Sequence, residues 1–268
     1  MKYRFFAALL LSSNVIVTNA HAQKDDWVEL FNGKDLTGWQ VNVGHSGDDE
    51  SLKADEIFQV KDGLLSVYPD APASSKQFNA TLVHEQKWNS YHLRVEYRWG
   101  ENKFQPRMEA ERDSGVLFHI HSEPTKVWPP SVELQLGDGK PGDVRVTGDL
   151  CLIGNSRGES PSEGNNYAPG AVLQTRGEKD PGEKMEMRTK VVAHAEKPRG
   201  EWNTVDLIVR GSDKAEFFVN GQLVNEVSGL RFKDAEGEWK ALEAGFIGLE
   251  AEWAQVEFRS IRIQSLEP

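Results

Sequence analysis

The chain has 268 residues, with 42 acidic against 31 basic side chains for a formal net charge of −11, and it carries eight Trp and one Cys. An acidic excess dispersed along the sequence disfavours nucleic acid and anionic membranes as partners. The lone thiol, Cys151, excludes an internal disulfide, so burial alone must hold the core.

In chain order, a basic start is followed by an apolar run, Phe6 to Val17, and then by Thr18-Asn19-Ala20-His21-Ala22. This order predicts an export leader cleaved after Ala22, and hence a periplasmic or secreted protein. The run is too short for the about 20 residues of a spanning helix, so no membrane insertion is expected. Residues 23–268 are expected to form one domain, a size that all-β units commonly reach.

Asp62-Gly63 between Ile57–Lys61 and Leu64–Tyr68 predicts a tight hairpin, and Asn220-Gly221 between Ala215–Val219 and Gln222–Val227 predicts another. Between them, period-2 alternation marks strands at Tyr91–Trp99, Ser114–His121, Val132–Leu136 and Trp202–Val209, and no stretch of comparable length has helical periodicity. Residues 44–56 and 100–113 read as charged rim loops. Residues 154–200 are rich in Gly, Pro and charge, and only Glu183 to His194 resembles an extended ribbon. Such a connection is either a functional loop over a site or a mobile excursion. Many short antiparallel strands with turns between them indicate a sandwich or barrel, with chemistry confined to the polar faces.

Strand parity then selects candidates. With Val116, Phe118 and Ile120 in the core, His119 and His121 fall on the opposite face. With Val132, Leu134 and Leu136 buried, Glu133 and Gln135 point the same way, about 6.6 Å apart. Ile247 and Leu249 bury themselves and leave Glu250 on the polar side, beside Gly248 as a point of close approach. The polar face of Tyr91–Trp99 carries His92, Arg94, Glu96 and Arg98. Were these strands neighbours in one sheet, carboxylate, imidazole, carboxamide and guanidinium would meet as base, acid and oxyanion donor. The plainer reading is a solvated sheet face; Glu133, alone in an apolar strand between Pro130 and Gly137, departs from it. His119 and His121 with Glu133 are also open to a metal-ligand reading, though no Cys-His cluster supports one and no cofactor is assigned. Cys151 reads as a buried small hydrophobe. No nucleophile elbow and no phosphate-cradling Gly loop is present.

Phe31-Asn32-Gly33-Lys34-Asp35-Leu36-Thr37-Gly38-Trp39 resembles the opening signature of the 3-keto-disaccharide hydrolase family, long a domain of unknown function. The similarity continues through Asp113-Ser114-Gly115-Val116, Val132-Glu133-Leu134-Gln135-Leu136, Gly200-Glu201-Trp202-Asn203-Thr204, Val219-Asn220-Gly221, Gly245 to Glu250 and Phe258 to Ile263, so it spans nearly all of residues 23–268. It implies an all-β, concanavalin A-like jelly-roll sandwich of two antiparallel sheets whose concave face binds saccharide. It also implies cleavage of 3-keto-glycosides by C1–C2 elimination, by hydration of the resulting glucal, or by both. Glu133 and Gln135 carry over directly. His119 stands where many members have Arg, Glu250 where many have Gln, and Trp253 where Gly is usual; the 154–200 segment is long for the family.

The residues assigned on this basis are Glu133 as general base or acid with His119 as its partner, and Arg94 or Arg98 as anion stabiliser. Gln135, His121, Glu96, Glu250 and Trp253 are expected to contact substrate. An ordinary retaining glycosidase needs two carboxylates about 5–5.5 Å apart, whereas the residue two beyond Glu133 is Gln135. The alternatives are a non-catalytic carbohydrate-binding module in which Trp253 and Trp128 stack on sugar, and a structural domain of a surface assembly.

Overall fold

The structure is a computed structural model that describes residues 26–44, 54–123, 127–140, 143, 145–159, 172–174, 188–189 and 193–266. The expected leader, residues 1–22, and most of 160–192 lie outside the described residues.

Two antiparallel sheets stack face to face. The larger runs β11 (Val172–Gln174), β10 (Ser156–Glu159), β15 (Gln222–Lys233), β14 (Lys214–Val219), β13 (Asn203–Arg210), β6 (Ser90–Lys103), β18 (Ala254–Ser265), β4 (Leu64–Val67), β3 (Phe58–Lys61). On it, β1 (Val28–Glu29) pairs with β18 and β16 (Trp239–Ala241) with β15. The smaller runs β12 (Arg188–Thr189), β9 (Leu150–Ile153), β8 (Ser131–Gly137), β7 (Asp113–Ile120), β17 (Phe246–Ala251), β5 (Ala80–His84), β2 (Trp39–Val43). A single helical turn, α1 (Ala54–Ile57), precedes β3.

Both hairpins form as two-residue turns, closing Lys61 on Leu64 and Val219 on Gln222. Asp62, Gly63, Asn220 and Gly221 all take positive φ, the twist that matches right-handed strands. The core fills the space between the sheets. Tyr91, Leu93, Val95, Tyr97 and Trp99 of β6 are buried with Val116, Phe118, Val132, Leu134, Ile247 and Leu249 of the smaller sheet. Each such side chain contributes about 1.5–3 kcal/mol by leaving water, which replaces the cross-link a one-cysteine chain lacks.

Where described, the 154–200 segment is not one loop. It supplies β10 and β11 to the edge of the larger sheet and β12 to the edge of the smaller. Its end returns over the sandwich, where the Glu196 carboxylate accepts hydrogen bonds from Tyr97 Oη (2.5 Å), Trp99 Nε1 (2.9 Å) and Thr147 Oγ1 (3.1 Å). Burial nevertheless dominates and pushes the Glu196 carboxyl up to about 7. An acid whose folded pKa is raised binds its proton more tightly when folded, so its penalty is absent at low pH and grows as pH rises from about 4.5 to 7. Glu196→Gln is therefore expected to stabilise the protein at pH 8 by on the order of 3 kcal/mol, with little effect at pH 4.5. Urea unfolding of both proteins across that range checks this; parallel pH curves would contradict it.

Candidate active site

The outer face of the smaller sheet carries a pocket of about 290 Å³ floored by β7, β8, β9 and β17. Gly115 lies at its centre, because β7 pairs Gly115 with Gln135 on one side while Val116 pairs with Leu249, next to Glu250, on the other. A Cβ built on Gly115 would stand 2.6 Å from both Glu133 Oε1 and Glu250 Oε2. The missing side chain is what lets the two carboxyls lean together, and a hydrogen bond joins them.

Two further acids complete the cluster. Asp113 accepts from Gln135 Nε2 at 2.6 Å and from the guanidinium groups of Arg107 and Arg145. Glu252 accepts from Trp128 Nε1 at 3.0 Å and from Arg107 at 3.3 Å, and hydrogen-bonds Asp113. All four acids are buried, none more than 9% exposed. Four carboxyls against two guanidinium groups leave two acids in excess, and low polarity resolves the imbalance by protonation. Burial, then the charge of Glu133, holds the Glu250 carboxyl well above the usual carboxylate range; burial, then the charge of Asp113, does the same for Glu252. The pocket therefore holds protons to higher pH than free carboxyls would. Glu250 Oε1 has no partner among the described residues and is closed off from solvent.

Gln135 faces this pocket, but its amide is committed: Nε2 also donates to the carbonyls of Ser114 and Leu136, so it braces Asp113. Cys151 is buried in the pocket wall, with Sγ 3.7 Å from Gln135 Oε1. Trp128, 45% exposed, stands at the rim. Trp253 does not line this pocket. It stacks on Arg107 at 4.7 Å from the back and donates Nε1 to Gln77 O at 2.8 Å.

Two further expectations are corrected. The first concerns parity in β7. The register slips between the pairs Phe246–Ile120 and Gly248–Leu117, and His119 sits in the bulge at φ 48°. One extra residue inverts everything after it: Ile120 packs with Leu117 and Val83 instead of the main core, and His119 turns inward. There it is fully buried, between Phe118 and Tyr91, with Nε2 2.9 Å from Gly211 O. Burial lowers its pKa to about 4, so it stays neutral. Gly245 accommodates the bulge, since a Cβ there would come within 2.4–2.6 Å of the His119 and Ile120 backbone. His121 lies against Phe232 with Nε2 3.1 Å from Ser156 Oγ, beside β10 and β15 of the other sheet. Neither histidine meets Glu133, and the His119–His121–Glu133 triad is not assembled. Among the described residues no group of three His, Cys, Asp or Glu is arranged to hold a metal ion.

The second correction concerns β6, which belongs to the other sheet, so Arg94, Glu96 and Arg98 face away from Glu133. They form a ladder of ion pairs with β13 and β18. Arg94 and His92 bind Asp206 at 2.6 Å, Arg98 binds Glu257 at 2.5 Å, and Glu96 binds Arg259 at 3.0 Å. Trp27 and Trp202 lie over these arginines.

The sequence reading thus brought Glu133, Gln135 and Glu250 to one place, named Trp128 only as a stacking ring of the binding-module alternative, and missed Asp113, Arg107, Arg145 and Glu252. Parity held the signal for two of these, since Glu252 follows Glu250 and Asp113 precedes Gly115 by two residues. Arg107 and Arg145 come from loops, where no period applies.

Two stacked antiparallel sheets with a polar pocket on one outer face define a concanavalin A-like jelly-roll sandwich. The chain belongs to the family of 3-keto-α-glucoside 1,2-lyase-like domains, whose family model matches residues 26–264. Its fold is similar to that of a candidate glycosyl hydrolase from Parabacteroides distasonis, 19% identical with a TM-score of 0.51 over 90% of this chain and 99% of that one. A second candidate glycosyl hydrolase structure from that organism is 18% identical, with a TM-score of 0.51 over 90% and 94% of the two chains. A Bacillus subtilis protein of unknown function with a galectin-like fold is 11% identical, with a TM-score of 0.50 over 89% and 94%. At these identities the likeness is one of fold. No curated protein matches the chain.

Proposed function

We propose that this protein cleaves 3-keto-glycosides by elimination across C1–C2 and rehydrates the product, so that the net outcome is hydrolysis. The observation that carries the reading is the hydrogen-bonded carboxyl pair Glu133 and Glu250 over Gly115, which brings a proton acceptor and a stored proton to one spot. A ketone at C3 makes the C2 hydrogen acidic. Glu133 takes that proton, the electrons of the C2–H bond become the C1=C2 bond through an enolate, and the C1–O bond breaks. The proton held by Glu250 passes to the departing oxygen. In the second stage water adds at C1 and gives a proton to the Glu250 carboxylate, and Glu133, its proton exchanged with solvent, protonates C2. Arg107 and Arg145 supply positive charge at the end of the pocket, against the charge growing on the C3 oxygen. Each proton transfer is worth about 10²–10⁴-fold.

Family membership supports this chemistry, and so does the closeness of the pair. Direct displacement at C1 uses carboxyls about 5–5.5 Å apart for retention and farther apart for inversion. Two carboxyls in hydrogen-bond contact leave no room for a sugar between them.

Turnover of a 3-keto-disaccharide in deuterated water is expected to place deuterium at C2 of the released keto-sugar. Release without label would overturn the elimination. Sugar affinity without turnover of any keto-sugar would favour the non-catalytic binding module.

A further inference from the structure

The carboxylate pocket, at about 290 Å³, is small for a ligand site, so it holds the ring being cleaved and leaves a second ring at its mouth. Trp128 stands at that mouth. Among the described residues four large apolar side chains are exposed, and Trp128, at 45%, is the aromatic one of them.

The indole is tied down although it faces water. Its N–H donates to Glu252 Oε1 at 3.0 Å, and the carbonyl of the residue before it, Val127, accepts from the Thr81 hydroxyl. The chain after it is held as well, since Pro129 is buried and its carbonyl accepts from Ser131 Oγ at 2.8 Å. The first two ties flank the proton-holding acid: Thr81 pairs with Glu250 across β5 and β17, and Glu252 follows Glu250 by two residues. The ring therefore stands on the Glu250 side of the pocket. Ile153 and Gly154 line it from β9, three strands away. Glu250 gives its proton to the departing oxygen in the elimination, so the group released from C1 lies on the side where Trp128 stands.

With its N–H engaged, Trp128 offers a ring face that is already ordered, and little conformational freedom is lost when a ligand covers it. A pyranose laid on that face buries its C–H surface against the indole and keeps its hydroxyls in the open mouth, where water satisfies them. A methyl group in the same place would cover only a small part of the ring.

Resting on the elimination reading for the side that C1 faces, we infer that Trp128 is the platform of the leaving-group subsite, and that the second pyranose of a 3-keto-disaccharide stacks on it. Trp128 then sets a preference for a sugar leaving group over a small alkyl one.

The test takes the ratio of kcat/KM for a 3-keto-disaccharide to that for methyl 3-keto-α-glucoside. Trp128→Ala is expected to lower this ratio about tenfold or more below that of wild type, the scale of one well-packed apolar contact. Comparing the ratio between proteins cancels the different acidity of the two leaving groups and the lost contact to Glu252, which both substrates share. A ratio taken within one preparation is also independent of the folded fraction. Trp128→Phe keeps an aromatic face without the N–H and is expected to hold the ratio within about threefold of wild type. An unchanged ratio in Trp128→Ala overturns the subsite and leaves the elimination intact, and an equal collapse in Trp128→Phe overturns the stacking. Turnover of neither substrate by wild type removes the elimination, and calorimetry with the 3-keto-disaccharide then decides the platform. Equal affinity in wild type and Trp128→Ala overturns it, whereas affinity lost in Trp128→Ala and kept in Trp128→Phe retains it.

Discussion

Glu133→Gln is expected to lower kcat on a 3-keto-disaccharide by about 10²–10⁴-fold with the fold intact. The carboxamide has nearly the same shape and keeps the packing over Gly115, but it cannot take up the C2 proton. Stability should not suffer, because four buried carboxyls face two guanidinium groups and losing one acid relieves the surplus. The same variant separates binding from chemistry. Retained affinity for the keto-sugar with lost turnover fits an acid–base role, whereas unchanged turnover would remove Glu133 from the reaction. The alkaline side of the pH profile follows from its partner. Burial and the charge of Glu133 raise the Glu250 carboxyl, so the pair keeps its proton above the usual carboxylate range, and kcat is expected to fall as rising pH strips it.

Gly115→Ala carries the second large effect, and it probes geometry without touching an ionisable group. The new methyl would stand 2.6 Å from an oxygen of each carboxyl and 2.9 Å from Glu133 Cγ, closer than real Cβ contacts allow. Gly115 is not among the positive-φ positions, so the strand itself accepts alanine. The strain falls on the two side chains, which must swing apart. We expect kcat to fall by about 10²-fold or more, since misplacing reacting groups by an ångström has that cost. The stability loss should be about 1–3 kcal/mol, as for overpacking elsewhere. Circular dichroism and thermal unfolding would establish the intact fold beside the kinetics. Full activity in this variant would mean that the carboxyl pair is not the reacting unit.

The residues brought into the pocket share a logic that also explains those left out. Glu133, Gln135 and Glu250 lie on strands whose alternation runs unbroken, so counting by two put them on the polar face. His119 follows the same count until the bulge, where one residue at positive φ turns the imidazole into the core beside Tyr91. A bulge is set by how β7 meets β17, and Gly245, which makes room for it, lies 126 positions further along the chain. Arg94, Glu96 and Arg98 alternate faithfully as well, but alternation does not say which sheet a strand joins. Their partners Asp206, Arg259 and Glu257 are distant in sequence and are found only once β13 and β18 flank β6.

The sequence by itself determined what is local: the two-residue hairpins at Asp62-Gly63 and Asn220-Gly221, the strands with their buried and polar faces, and the family signature. These depend on φ preference and on a period of two, which neighbouring residues carry among themselves. Only the tertiary structure decided which strands share a sheet and where the register slips. It also decided which loop arginines balance the buried acids, because these contacts join residues far apart in the chain and are selected by packing. The proton-holding pair follows from both: parity supplied the two carboxyls, and the pairing of three strands around Gly115 brought them together.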